Sequence, residues 1–170
     1  MDPLKSVTIR YLTQDIDSGL VFDIFKASQD YLDMETGQDA SLENVKVFFE
    51  ELPPKVSADA KITLGMTDSE GNGIGLMDVV RGYRKTTDWY IGQLMLTPEA
   101  RGRGLGKEAL DWVSNLAKSE GARRLLLCVV EKNVKGRAFW EREGFTLRKK
   151  TPPWTTGLKT HERYELVRSL

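Results

Sequence analysis

Apolar and polar positions alternate from the start, with Val7, Ile9 and Tyr11 set against Thr8 and Arg10, which predicts an opening strand. Ile16, Leu20, Val21, Ile24 and Phe25 then recur at helical spacing and predict an amphipathic helix. Residues 31–40 (YLDMETGQDA) are polar and contain glycine, and read as loop. Ser41 is placed to cap a second helix with the apolar face Leu42, Val45, Phe48, Phe49 and Leu52, which Pro53 and Pro54 stop. Ile62, Leu64 and Met66 alternate as a strand. The turn-rich stretch 68–73 (DSEGNG) and the run Ile74 to Val80 complete a hairpin. After a polar connection, residues 89–96 (WYIGQLML) form a further strand.

The clearest element follows. Leu105, Ala109, Trp112, Val113 and Leu116 make one apolar stripe, and Gly121 suits the C-terminal cap of that helix. Leu125 to Val130 is a continuous apolar run, as expected of a strand covered on both faces. A short helix from about Val134 to Glu143 closes at Gly144. Phe145 with Leu147, and Tyr164 with Leu166, predict two last strands. The order βααβββαβαββ gives one mixed α/β domain over residues 1–170, with hairpins early and crossover helices late.

Composition narrows the function. The 170 residues carry 25 Lys plus Arg and 25 Asp plus Glu, so no global field gathers nucleic acid or a membrane surface. Any anion site must be a local cluster. One cysteine, Cys128, lies inside the Leu125–Val130 run and is expected in the core. It excludes an intrachain disulfide and, with a start that lacks the apolar segment of a signal peptide, points to the cytoplasm. A single histidine, His161, speaks against a zinc site.

The local cluster is Arg101-Gly102-Arg103-Gly104-Leu105-Gly106-Lys107, between a strand and the start of the strongest helix. Alternating glycines let backbone approach a ligand, helix N-terminal N–H groups face it, and the macrodipole favours an anion. With three cationic side chains this describes a pyrophosphate cradle. It is not a P-loop: three residues, not four, separate Gly102 from Gly106, and Glu108 follows Lys107. A dinucleotide fingerprint also fails, because its third glycine would fall on Lys107.

What fits is R-x-x-G-x-G, as Arg101, Gly104 and Gly106, which resembles the coenzyme A loop of the GCN5-related N-acetyltransferase (GNAT) superfamily. Asn133, Phe139, Trp140, Gly144 and Phe145 match a second pattern of that family, N-x-x-A-x-x-[LF]-Y-x-x-x-G-F, in register. The resemblance is strong over about residues 89–146. It implies a central, mostly antiparallel sheet with a splayed parallel strand pair, flanked by helices. It implies an acetyl-CoA-dependent N-acetyltransferase acting on a primary amine of a small molecule or peptide, by direct attack through a tetrahedral intermediate. Leu94, Met95 and Leu96 would pair with the pantetheine through their backbone. Residues Gly102, Arg103, Gly104, Leu105, Gly106 and Lys107 would hold the pyrophosphate, and Asn133, Phe139 and Trp140 would flank the thiol end. Asn133 is equally a helix cap.

The family pattern breaks at the catalytic positions. Trp140 stands where members often have a tyrosine acid, and an indole does not titrate usefully. A thiol pKa of about 8.5 makes thiolate a fair leaving group regardless. Gly136 replaces the pattern's alanine. Counting back eleven residues from Arg101, where some members carry a glutamate base, lands on Tyr90. Asp78, an acid within the apolar run Ile74 to Val80, either faces solvent or lines a cleft, and Glu131 ends a buried strand. These three are the catalytic candidates, beside a water chain. Tyr31, Asp33, Glu35, Tyr83 and Trp89 are candidates for the acceptor side, where acids would suit a cationic amine. A domain that holds acyl-CoA without turnover, and a dimerising domain whose glycine loop holds another anion, are the competing readings; the apolar helices and last strand would suit a homodimer.

Overall fold

The computed structural model describes residues 2, 3 and 6–170. Its strands are β1 (Thr8–Tyr11), β2 (Lys61–Thr67), β3 (Gly73–Val80), β4 (Asp88–Leu96), β5 (Arg124–Val130), β6 (Thr146–Thr156) and β7 (Lys159–Ser169). They form one seven-stranded sheet in the order β1-β2-β3-β4-β5-β7-β6. Every neighbouring pair is antiparallel except β4 and β5. The helices are α1 (Gln14–Ala27), α2 (Gln29–Glu35), α3 (Leu42–Glu50), α4 (Leu105–Ser119) and α5 (Val134–Arg142).

Strand alternation divides the core between the two faces of the sheet. On one face Leu76 and Met95 pack with Val21, Ile24 and Phe25 of α1 and Val45 and Phe48 of α3. On the other, Met77, Val79, Trp89, Ile91, Leu125 and Leu127 pack under Leu105, Ala109, Leu110 and Val113 of α4. Local chemistry fixes the ends of the helices. Asp17 accepts the Thr13 N–H at 2.8 Å and pairs with Arg10, holding the first turn of α1. Ser41 and Asn44 form a reciprocal capping box on α3.

Three expectations are corrected. Residues 31–40 do not run as loop throughout, because Gln29–Glu35 is helical, giving three helices before β2. Only Leu32 of that helix is buried, so its stripe is too short to show as periodicity. The last two strands are far longer than their apolar residues indicate, at 11 residues each. β6 lies at the sheet edge and is largely exposed, so no alternation marks it. Its register slips between Thr151 and Trp154, where Pro152 and Pro153 offer no N–H to a ladder. Cys128 is half-buried rather than core, and its side of β5 borders a cavity.

Candidate active site at a split in the sheet

The site begins with a pairing that stops. β4 and β5 pair from Asp88↔Arg124 to Ile91↔Leu127 and no further. The bidentate ion pair of Arg124 with Asp88 clamps the closed end. At Gly92 the β3–β4 register shifts by one: Asp78 lies opposite Gln93 and Val79 opposite Ile91, which leaves Gly92 as the extra residue of a β-bulge. Beyond it the strands part. The β5-facing edge of residues 92–96 is left without a strand partner, and β5 continues with β7 alone.

Two cavities meet at this split. The first, about 830 Å³, runs along Leu94, Met95 and Leu96, the loop residues Arg101, Gly102, Gly104, Leu105, Gly106 and Lys107, and Phe139 of α5. The second, about 620 Å³, lies under α2 and α3 and reaches Asp78, Tyr83, Tyr90 and Cys128. Tyr31, Leu94, Asn133 and Trp140 line both.

The glycines of the loop have two different causes. Gly102 and Gly104 have φ of +73° and +82°, a left-handed conformation that side chains disfavour. Gly106 is helical, and a Cβ there would stand 3.3 Å from the Phe139 ring. Gly104 caps α4 without a side chain, so the first-turn N–H groups of Leu105, Gly106 and Lys107 have no capping acceptor. The cationic side chains are differently placed than a ring of positive charge would require. Arg103 pairs with Asp2 at 2.9 Å and Lys107 with Asp111 at 2.5 Å. Arg101 forms a bidentate pair with Asp30 of α2, and its Nε donates to the Leu96 carbonyl at 3.0 Å. The Arg101 guanidinium holds the Asp30 carboxyl below its usual range.

Asp78 lines the second cavity, only 7% exposed. Burial pushes its carboxyl up to about 6, against the opposing pull of Lys61, whose Nζ lies 3.4 Å away, and of the Gln93 N–H. On α2, the Tyr31 hydroxyl donates to Glu35 Oε1 at 3.1 Å, and burial raises both groups above their ordinary values. The β6–β7 hairpin braces this helix. His161 Nε2 donates to the Glu35 carbonyl at 2.6 Å, the Leu158 N–H to the Thr36 carbonyl at 2.8 Å, and Lys159 Nζ to the Asp33 carbonyl. Tyr90 packs against Tyr83, with ring centroids 4.7 Å apart and tilted by 50°, and burial raises its hydroxyl well above the ordinary tyrosine range.

Of the candidates, the split brings together Asp78, Tyr90, Tyr31, Glu35, Tyr83, Asn133, Phe139 and Trp140. Three fall elsewhere. Glu131 is exposed after β5, with the Tyr164 hydroxyl 3.5 Å from its carboxylate, and lines neither cavity. Asp33 is exposed and bonded to Gln29. Trp89 is 2% exposed and packs in the α4 core, because alternation turns Trp89 and Tyr90 to opposite faces. Asn133 caps α5, accepting the Gly136 N–H at 2.9 Å, and also lines the meeting point. Trp140 is buried between Phe139 and Phe145. Sequence reasoning missed Asp30, Lys61, Trp154 and Arg163. Asp30 reaches Arg101 from a distant helix, and Lys61, Trp154 and Arg163 line the second cavity, which no local pattern marks.

Among the described residues no helix is long and apolar enough to cross a membrane, and no group of three or more His, Cys, Asp or Glu is disposed to hold a metal. A model of the acetyltransferase (GNAT) family matches residues 24–145. The uncharacterized N-acetyltransferase YobR of Bacillus subtilis (strain 168) is 28% identical over 102 residues. That match covers 59% of this chain but only 37% of YobR. Among solved structures, an acetyltransferase from Thermus thermophilus is similar with a TM-score of 0.74 at 24% identity, covering 97% of each chain. The spermidine N-acetyltransferase from Vibrio cholerae, in complex with CoA and spermine, has a TM-score of 0.72 at 15% identity, covering 97% of this chain and 96% of its own. At these identities the structural likeness establishes the fold, and with the family model matched across most of its length, the chain belongs to the acetyltransferase (GNAT) family.

Proposed function

We propose that this protein is an N-acetyltransferase that moves the acetyl group of acetyl-CoA to the primary amine of a small molecule. The observation that carries this is the unpaired edge of β4 running from the bulge at Gly92 to the glycine loop, with a second cavity opening at its far side. Unpaired strand backbone suits amide-bearing pantetheine, and a bare helix N-terminus suits pyrophosphate. Acetyl-CoA supplies the thioester. Leu94 and Leu96 offer backbone groups to its arm, and the N–H groups from Gly102 to Lys107 receive its phosphates, with Arg101 exchanging Asp30 for phosphate.

The chain's own chemistry lies in the second cavity. An alkylammonium, with pKa about 10.4, must lose a proton before it can attack. Asp78 is the carboxylate to accept it: ionised above pH of about 6 and shielded from bulk water. Lys61 and the Gln93 N–H hold that carboxylate in place. Backbone N–H groups of the split strand are the donors for charge that develops on the acyl oxygen. Tyr31, which lines both cavities, is the hydroxyl nearest in role to the tyrosine that Trp140 replaces. A domain that binds acyl-CoA without turnover is the second reading, and Trp140 is the residue that favours it. Release of CoA thiol from acetyl-CoA with a panel of primary amines separates the two. Amine-dependent release that Asp78→Asn lowers supports the transferase, whereas tight binding with no release from any amine supports the second reading.

A further inference from the structure

We propose that the acceptor is an amine that also bears a carboxylate, of the amino-acid class, with the carboxylate held by Arg163. The inference rests on the transferase reading above. Two cationic side chains line the second cavity, Lys61 and Arg163. Lys61 is satisfied, with Nζ 2.7 Å from the Glu51 carbonyl and 3.4 Å from Asp78. Arg163 is not. It has no ion-pair partner among the described residues, and its Nε is buried with no acceptor. A buried guanidinium N–H without an acceptor is costly in a folded chain, and few native groups are left so.

The guanidinium is nevertheless fixed in place. It lies 4.6 Å over the ring of Trp154, which also lines the cavity, and both residues come from the β6–β7 hairpin. This cation–π contact locates the guanidinium but gives its Nε–H no acceptor, and a carboxylate is the planar, bidentate acceptor that suits such a fork. Arg163 pairs in register with Val130 at the end of β5, past the split. Asp78 on β3, Glu35 on α2 and Glu51 line the same cavity. The chamber therefore has carboxylates for an amine and one unmatched cation for an anion. A plain alkylamine would leave Arg163 unsatisfied, whereas a zwitterion satisfies both ends.

The test compares amino acids with amines that differ only by loss of the carboxylate, such as leucine and isoamylamine or methionine and 3-(methylthio)propylamine, using acetyl-CoA and measuring kcat and KM. The expected result is at least one amino acid preferred over its amine by about 100-fold in kcat/KM, since a site built to bond a polar group rejects the analogue lacking it. In Arg163→Met that ratio collapses towards one, through KM, and Arg163→Lys restores part of it. Each variant is first checked for retention of the thermal shift produced by acetyl-CoA, which shows that it is folded. Amines acetylated as well as or better than their amino acids, or a ratio unchanged by Arg163→Met, overturn the proposal while leaving the transferase reading standing. If no amine of either kind is acetylated, both fall.

Discussion

The carboxylate of Asp78 lies in the space that a side chain at Gly92 would fill. A Cβ built on Gly92 would stand 2.8 Å from Asp78 Oδ1 and closer still to Oδ2. Gly92 is also the extra residue of the bulge at which β4 leaves β5. The absence of one side chain thus serves two ends, opening the sheet and seating the acid at the opening. Gly92→Ala must push Asp78 aside. The expected cost is about 1–3 kcal/mol of stability from overpacking, with kcat/KM falling about 100-fold or more as the base is displaced. Denaturant titration and steady-state kinetics on the same preparation check both, and a variant with normal turnover would show that the position of Asp78 does not matter.

The pH dependence follows from the raised carboxyl of Asp78. Below about 6 it is protonated and cannot accept a proton, so kcat/KM should rise with pH through about 6 and then level. Asp78→Asn should remove that limb and lower the plateau. Stability carries the opposite sign. Burial favours the neutral acid, so its contribution is complete below about 3.8 and is lost as pH rises through about 6. An activity limb unchanged in Asp78→Asn would assign it to another group.

Arg101 and Asp30 set up a competition. In this structure the guanidinium is held by Asp30 and the Leu96 carbonyl, a backbone acceptor on the strand edge assigned to the pantetheine. Asp30→Asn removes the competing charge, so affinity for coenzyme A should rise by about two- to fivefold, the scale of an exposed ion pair. Calorimetric titration reads this directly. Weaker binding in Asp30→Asn would instead mean that Asp30 positions Arg101 for the anion.

Gly136 stands where the family pattern has alanine. Propensity alone predicts that Gly136→Ala stabilises α5 by about 1 kcal/mol. The structure predicts otherwise, because a Cβ there would lie 2.7 Å from Cγ and Oδ1 of the Asn133 cap. Displacing that cap costs about 1 kcal/mol, so chemical denaturation should show almost no net change. A full gain would mean that Asn133 finds another cap geometry without loss.

Sequence reached the α4 stripe, the glycine loop and the α5 motif because each is local, with the periodicity, glycine spacing and helix start lying within a few residues of one another. It also marked Asp78, since an acid inside an apolar run needs an explanation. It could not find α2, whose single buried residue makes no stripe, nor the length of β6, an exposed edge strand. Lys61, Trp154 and Arg163 were equally invisible, because their roles depend on what the sheet brings beside them. Trp89 was misplaced for a simpler reason: neighbouring strand residues face opposite ways, and only the structure shows which of Trp89 and Tyr90 faces the cavity.

The central claim is that the groove between the unpaired edge of β4 and the start of α4 holds acetyl-CoA. It is tested most directly by thermal unfolding with and without acetyl-CoA, with free adenine nucleotides as controls. Ligand at 100 times its dissociation constant should stabilise the fold by about 2.7 kcal/mol, and the shift should vanish when Gly104 and Gly106 are replaced by bulky residues. No shift at millimolar acetyl-CoA would contradict the account.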